Sequence, residues 1–124
     1  RYDGAEIGPH SALTLFGWPR SNYWARGGAG QTHHIAFRAA DEEEQLAWRE
    51  HLLSLGVAVS PVMDRKYFKS IYFRAPDGLL LEIATDGPGF AVDEPADALG
   101  RELMLPAWLE PRRAELEAVL TPLG

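Results

Sequence analysis

His34 and Glu82 are the residues of this chain best suited to chemistry. His34 lies in a strand-like run, His33-His34-Ile35-Ala36-Phe37-Arg38. Glu82 sits inside a second apolar run, Leu79-Leu80-Leu81-Glu82-Ile83-Ala84. A carboxylate among leucines and an isoleucine is costly to bury alone, so a cation should meet it. A metal shared with an imidazole answers that need. Imidazole plus carboxylate with an open position is the ligand set of non-haem iron, manganese and some zinc sites. Two competing readings stay open. A lone histidine on an apolar strand is commonly structural. Arg38 and Arg74 each fall on the site-side phase of their strands, and either can pair with Glu82 instead of a metal. Strand alternation sends His33 to the face opposite His34, so one imidazole of the two should bind.

Tyr72 precedes Glu82 across a Pro76-Asp77-Gly78 turn, and a hairpin can bring both to one face. A strand tyrosine is also often simple packing. The run Asp64-Arg65-Lys66-Tyr67-Phe68-Lys69 sets three cations beside two aromatics. It suits an anionic or phenolate substrate, with a solvated loop as the plainer reading. Arg38, Arg65, Tyr67 and Arg74 are thus the candidate substrate-binding residues. His10 reads as a loop residue and His51 as a helix-surface one.

The elements that must position these groups are marked by punctuation. Gly8-Pro9 is a turn signal, and residues 11–18 read as a strand. Residues 19–30 carry Arg-Gly-Gly-Ala-Gly and read as a loop. Residues 31–38 read as a strand. Asp41 with Glu44 three residues on fits a capping box, and three glutamates suit the first turn of a helix. That helix should run to about Leu55 and stop at Gly56. Its apolar residues Leu46, Trp48, Leu52, Leu53 and Leu55 form a broad band. Residues 57–63 read as a short strand with Pro61 at an edge or bulge. Residues 69–74 and 79–85 read as two further strands. Pro95 and Pro111 each stand where a short helix can begin, and Leu116, Val119 and Leu120 give the second an apolar face.

Composition sets the outer limits. The 124 residues make at most one compact domain, 46% hydrophobic and 24% charged. A net charge of -6 argues against nucleic acid as the main partner. There is no cysteine, so disulfides, thiolate metal sites and a cysteine nucleophile are excluded. No apolar run approaches about 20 residues, so no membrane partner is expected. The expected location is cytoplasmic. The chain opens on Arg1 rather than methionine and reads as a piece of something longer.

The order β-α-β-β-β, with His34 near its start and Glu82 in its last strand, resembles the vicinal oxygen chelate superfamily of glyoxalases, bleomycin-resistance proteins and extradiol dioxygenases. The stretch Ser70-Ile-Tyr-Phe-Arg-Ala-Pro-Asp-Gly-Leu-Leu-Leu-Glu82 looks like its closing hairpin. Longer stretches look like one branch, the bacterial ring-cleaving dioxygenases related to hydroquinone-specific dioxygenase. These are residues 33–38, Asp64 to Arg74, Glu82 to Pro95 and Leu105 to Glu115.

The resemblance implies an α+β fold in which two such modules pair as an open, incompletely closed barrel around a metal. It implies residues 1–26 as the last strand and linker of a preceding module, 27–92 as a complete module, and 93–124 as a helical tail. It maps His34 and Glu82 onto two metal ligands; the third, a histidine of the first module, has no counterpart here. It gives Tyr72 a catalytic place, donating a hydrogen bond to substrate. The implied activity is extradiol-type cleavage of a dihydroxy aromatic by O₂, with Fe(II) as the metal and Mn(II) or Zn(II) as alternatives. Two other classes remain. One is a glyoxalase- or epimerase-like enzyme using Zn, Ni or Co. The other is a metal-free binding module of the bleomycin-resistance kind. A curved sheet with an apolar inner face also predicts association, with a second copy or an accompanying first module.

Overall fold

The computed structural model describes residues 2–3, 12–14, 30, 32–76 and 78–122. The chain groups into two compact units, residues 1–31 and 32–124. In the first, β1 (Tyr2–Asp3) pairs antiparallel with β2 (Ala12–Leu13). The strand expected over 11–18 is thus described only at 12–14. The Gly8-Pro9 turn, His10 and nearly all of the 19–30 loop lie outside the described residues.

The second unit contains β3 (Ile35–Ala39), α1 (Glu42–Ser54), β4 (Met63–Asp64), β5 (Lys69–Arg74), β6 (Leu80–Thr85) and α2 (Arg113–Val119). The strands form one sheet in the order β3-β6-β5-β4, and the sheet does not close. β3 runs parallel to β6, while β5 is antiparallel to both β6 and β4. This is the expected β-α-β-β-β module of an α+β fold.

α1 starts where its cap chemistry dictates. Asp41 accepts from the Glu44 backbone N–H at 2.8 Å. Glu44 returns a bond, but to the Ala40 N–H at 2.7 Å, one residue earlier than a capping box prescribes. The helix ends at Leu55, and Gly56 follows with φ 78°, a left-handed conformation that favours glycine. Leu46, Trp48, Leu53 and Leu55 remain exposed. The residue α1 buries is polar: Gln45. Its Nε2 donates to Lys69 O and Ile83 O, both at 2.8 Å, tying the helix to two strands.

The core on the helix side of the sheet is Ala39, Ile71 and Ile83, with Leu52, Val59 and Phe73 packed against it. Full burial of a side chain such as Ile71 stabilises by roughly 1.5–3 kcal/mol. Because side chains alternate along a strand, Ser70, Tyr72, Glu82 and Ala84 fall on the opposite face.

Three boundaries differ from expectation. The first strand of the module begins at Ile35, so His33 and His34 precede it. The strand expected over 57–63 is an isolated bridge, Val59 to Phe73, followed by the two-residue β4. Pro61 lacks the N–H that a continuous ladder needs. Pro95 opens a turn closed by Ala98 N–H on Pro95 O at 2.9 Å, not a helix. Pro111 does stand in a 3₁₀ turn (Glu110–Arg112) that leads into α2, but Val119 and Leu120 on α2's apolar side are exposed. Among the described residues no helix is long and apolar enough to cross a membrane.

Candidate functional site

The strand registers place the site. Ala36 of β3 and Tyr72 of β5 both lie opposite Glu82 of β6. Residues opposite one another share a face, so all three stand in a row across the sheet. His34 is two residues before Ala36, on the same phase. Its Nε2 lies 2.7 Å from Glu82 Oε2. The two residues singled out from the sequence therefore converge.

Glu82 is 3% exposed, and a buried carboxylate needs donors. Its Oε1 accepts from the Tyr72 hydroxyl at 2.9 Å and from the Ser70 hydroxyl. Tyr72's oxygen in turn accepts from Arg65 Nε at 3.2 Å, and the Arg65 guanidinium lies 5.1 Å over the Tyr72 ring. A chain of contacts thus runs from an arginine through a phenol to the carboxylate.

His33 departs from the alternation expected of it. Its Nδ1 lies 2.8 Å from His34 Nδ1. Both residues precede β3, so no strand pairing fixes their directions. For His34 to present a lone pair at Nε2, its proton must sit on Nδ1, and His33 Nδ1 is then the acceptor.

The remaining candidates make their contacts elsewhere. Arg38 grips Asp86, with Nε 2.8 Å from Oδ2 and Nη2 2.6 Å from the same oxygen. The Asp86 hydrogen bond holds that guanidinium above its ordinary pKa. Arg74 donates to Gly78 O at 2.8 Å across the turn before β6. Neither pairs with Glu82, so the competing ion pair does not form.

The basic and aromatic run is divided. Arg65 goes to Tyr72. Lys69 pairs with Glu42 of α1 at 2.5 Å. Tyr67 donates to Asp93 Oδ2 at 3.0 Å, Lys66 pairs with the same oxygen, and Tyr67 stacks near Phe90 with ring centroids 5.1 Å apart. The Lys66 hydrogen bond holds the Asp93 carboxyl below its usual range. Burial, then the Asp93 hydrogen bond, pushes the Tyr67 phenol up. Lys66 itself has φ 70°, strained for a residue with a side chain.

Ser70 is the site residue the sequence reading passed over. It shares the inward phase of Tyr72, two positions on, and that phase was the available signal. Among the described residues, no group of three or more His, Cys, Asp or Glu side chains could hold a metal. The pair itself fits one. Two bonds of about 2.1 Å at right angles put donor atoms roughly 3.0 Å apart. From 2.7 Å, Nε2 and Oε2 need to open by about 0.3 Å for a right-angle pair and about 0.7 Å for a tetrahedral one. Imidazole nitrogen and carboxylate oxygen suit iron, manganese and zinc.

Comparison with known proteins defines the class. The model of the Glyoxalase/Bleomycin resistance protein/Dioxygenase superfamily matches residues 4–83, and the chain belongs to this superfamily. It is 51% identical over 98 residues to MhqA of Bacillus subtilis (strain 168), provisionally named a ring-cleaving dioxygenase; the match covers 79% of this chain and 31% of that protein. It is 41% identical over 98 residues to the chlorohydroquinone/hydroquinone 1,2-dioxygenase of Sphingobium indicum, covering 78% of this chain and 30% of that one. A crystal structure from Bacillus subtilis subsp. subtilis str. 168, provisionally named a dioxygenase, superposes with a TM-score of 0.72 at 51% identity, covering 79% and 32% of the two chains. The chain spans about a third of the length of these relatives.

Proposed function

We infer that this chain serves a metal-dependent, extradiol-type ring-cleaving dioxygenase acting on a dihydroxy aromatic, with Fe(II) as the metal and Mn(II) or Zn(II) as alternatives. The observation that carries this reading is the 2.7 Å approach of His34 Nε2 to Glu82 Oε2. The names of its relatives support the reaction class.

His34 offers Nε2 and Glu82 offers Oε2 as ligand atoms. A third ligand is expected from outside the described residues. When bound, the metal supplies a Lewis-acidic centre through which electron density passes from the ring to O₂. Arg65 supplies the fixed positive charge that a phenolate oxygen seeks. Tyr72 holds its proton on Glu82 Oε1, so it donates to that oxygen or to a substrate oxygen, one at a time. Holding substrate in that geometry is the protein's main contribution. A second copy, or an accompanying module, covers this face and keeps water out. A cytoplasmic location fits such an enzyme.

One observation favours a second reading. His34, Ser70 and Tyr72 already satisfy Glu82, which suits a metal-free binding module as well. Metal analysis with O₂-uptake assays on hydroquinones and catechols decides between them. The expected result is one iron or manganese per site and O₂ consumed with the aromatic. A metal-free protein that binds the aromatic without consuming O₂ overturns the dioxygenase reading.

A further inference from the structure

The Ser70 hydroxyl is bonded to Glu82. The residue is fully buried on β5, in register with Ala84, and diagonal to Glu82 on the same face. An apolar side chain in that place would bury more simply, because a hydroxyl in a core is costly unless bonded. Its hydroxyl donates to Glu82 Oε1, the oxygen that also accepts from Tyr72. Oε2 faces His34 instead.

A carboxylate oxygen has two in-plane lone pairs. Two hydroxyl donors occupy both of those on Oε1. Only Oε2 is then free to bind an ion, and the plane of the carboxylate is held from behind. We propose that Ser70 is a positioning residue that makes Glu82 a one-oxygen ligand, by holding Oε1 and turning Oε2 toward His34. This inference rests on the metal reading above and deepens it. Ser70 touches neither substrate nor metal; it acts through Glu82. The partners that orient ligating carboxylates typically change metal affinity 10–100-fold when removed.

The test is titration with Mn(II) alone, followed by loss of the electron paramagnetic resonance signal of free Mn(II), on the protein as it occurs naturally. Ser70→Ala should bind Mn(II) about 10–100-fold more weakly while keeping its cooperative thermal transition. Ser70→Thr keeps the hydroxyl and should restore affinity to within about threefold of wild type, on the same reasoning. Ser70→Cys, a close fit in size with a weaker donor, should fall between and covers the case where threonine is too large. Equal Mn(II) affinity in Ser70→Ala and wild type overturns the proposal. So does a parallel loss in all three variants that tracks their thermal stability, since that marks a purely structural role. If His34→Ala and Glu82→Ala bind Mn(II) as tightly as wild type, the metal reading itself fails, and the proposal with it.

Discussion

Tyr72 stands directly opposite Glu82 in the register of β5 and β6, and its hydroxyl donates to Glu82 Oε1 at 2.9 Å. The same hydroxyl accepts from Arg65. One atom therefore joins the buried carboxylate to the basic loop that carries Arg65. Removing it should disturb both sides at once.

Tyr72→Phe leaves Oε1 with one donor fewer and Arg65 without an acceptor. A bond to a charged group is worth about 1.5–3 kcal/mol, so urea unfolding should show a loss of that order. The turnover of an aromatic substrate should fall at least tenfold, of the order expected for a lost positioning contact. Unchanged stability together with unchanged turnover would refute the coupling.

His34→Ala and Glu82→Ala should each reduce bound metal by more than about tenfold, measured by elemental analysis after dialysis. Circular dichroism should show that both still fold. Retention of full metal content in either variant would count against the ligand assignment.

Gln45→Ala tests the helix tie. The substitution leaves Lys69 O and Ile83 O without their side-chain donor in a closed core. Each abandoned acceptor costs about 1–3 kcal/mol, so the two together should cost roughly 2–6 kcal/mol in chemical denaturation. A loss under about 1 kcal/mol would mean that other donors replace the amide.

The Asp93 cluster should weaken at both ends of the pH scale. Asp93's folded pKa is lowered, first by the Lys66 hydrogen bond. Its contribution is present above the ordinary carboxylate value and is lost as pH falls through the folded one. Tyr67 and Lys66 have raised folded values, so their contributions hold below the ordinary values of about 10 and are lost as pH rises through the folded ones. The ultraviolet titration difference between wild type and Tyr67→Phe should therefore have a midpoint above 10. Asp93→Asn should lower that midpoint. No change in it would separate Tyr67 from Asp93.

The 124 residues studied alone should associate. Among the described residues, only Ala39, Ile71 and Ile83 are buried apolar side chains, while Phe37, Trp48, Leu55 and Phe90 are exposed. A core that small rarely supports an independent domain. Light scattering after size exclusion checks this. A monodisperse monomer at micromolar concentration with a cooperative thermal transition would contradict it.

Much of the sheet was legible because its punctuation is local. Residues 69–74 form a strand with the ends read from the sequence, since a turn follows it and the run Ile71-Tyr72-Phe73 favours a strand. Asp41 and Gly56 bracket α1 as their chemistry requires. The meeting of His34 with Glu82 was legible from residue type and from the family resemblance, not from strand phase, since β3 begins only at Ile35. The rest depended on distant partners. Nothing near Arg38 in sequence marks Asp86 rather than Glu82 as its acceptor. Gln45 reads as a surface residue of the helix until two strand carbonyls are placed beneath it. His33 follows no strand period because the strand has not yet begun.

The parallel pairing of β3 with β6 has a consequence for how the chain is made. His34 comes from the start of the module and Glu82 from its final strand. During synthesis, His34 emerges long before Glu82 exists to meet it. β5 can supply Ser70 and Tyr72, but they too wait for Glu82. The site therefore comes into being only when the last strand slots in between β3 and β5. An ion held by both residues, as the proposed function requires, would bind only the finished sheet and would stabilise it by closing the loop from residue 34 to residue 82.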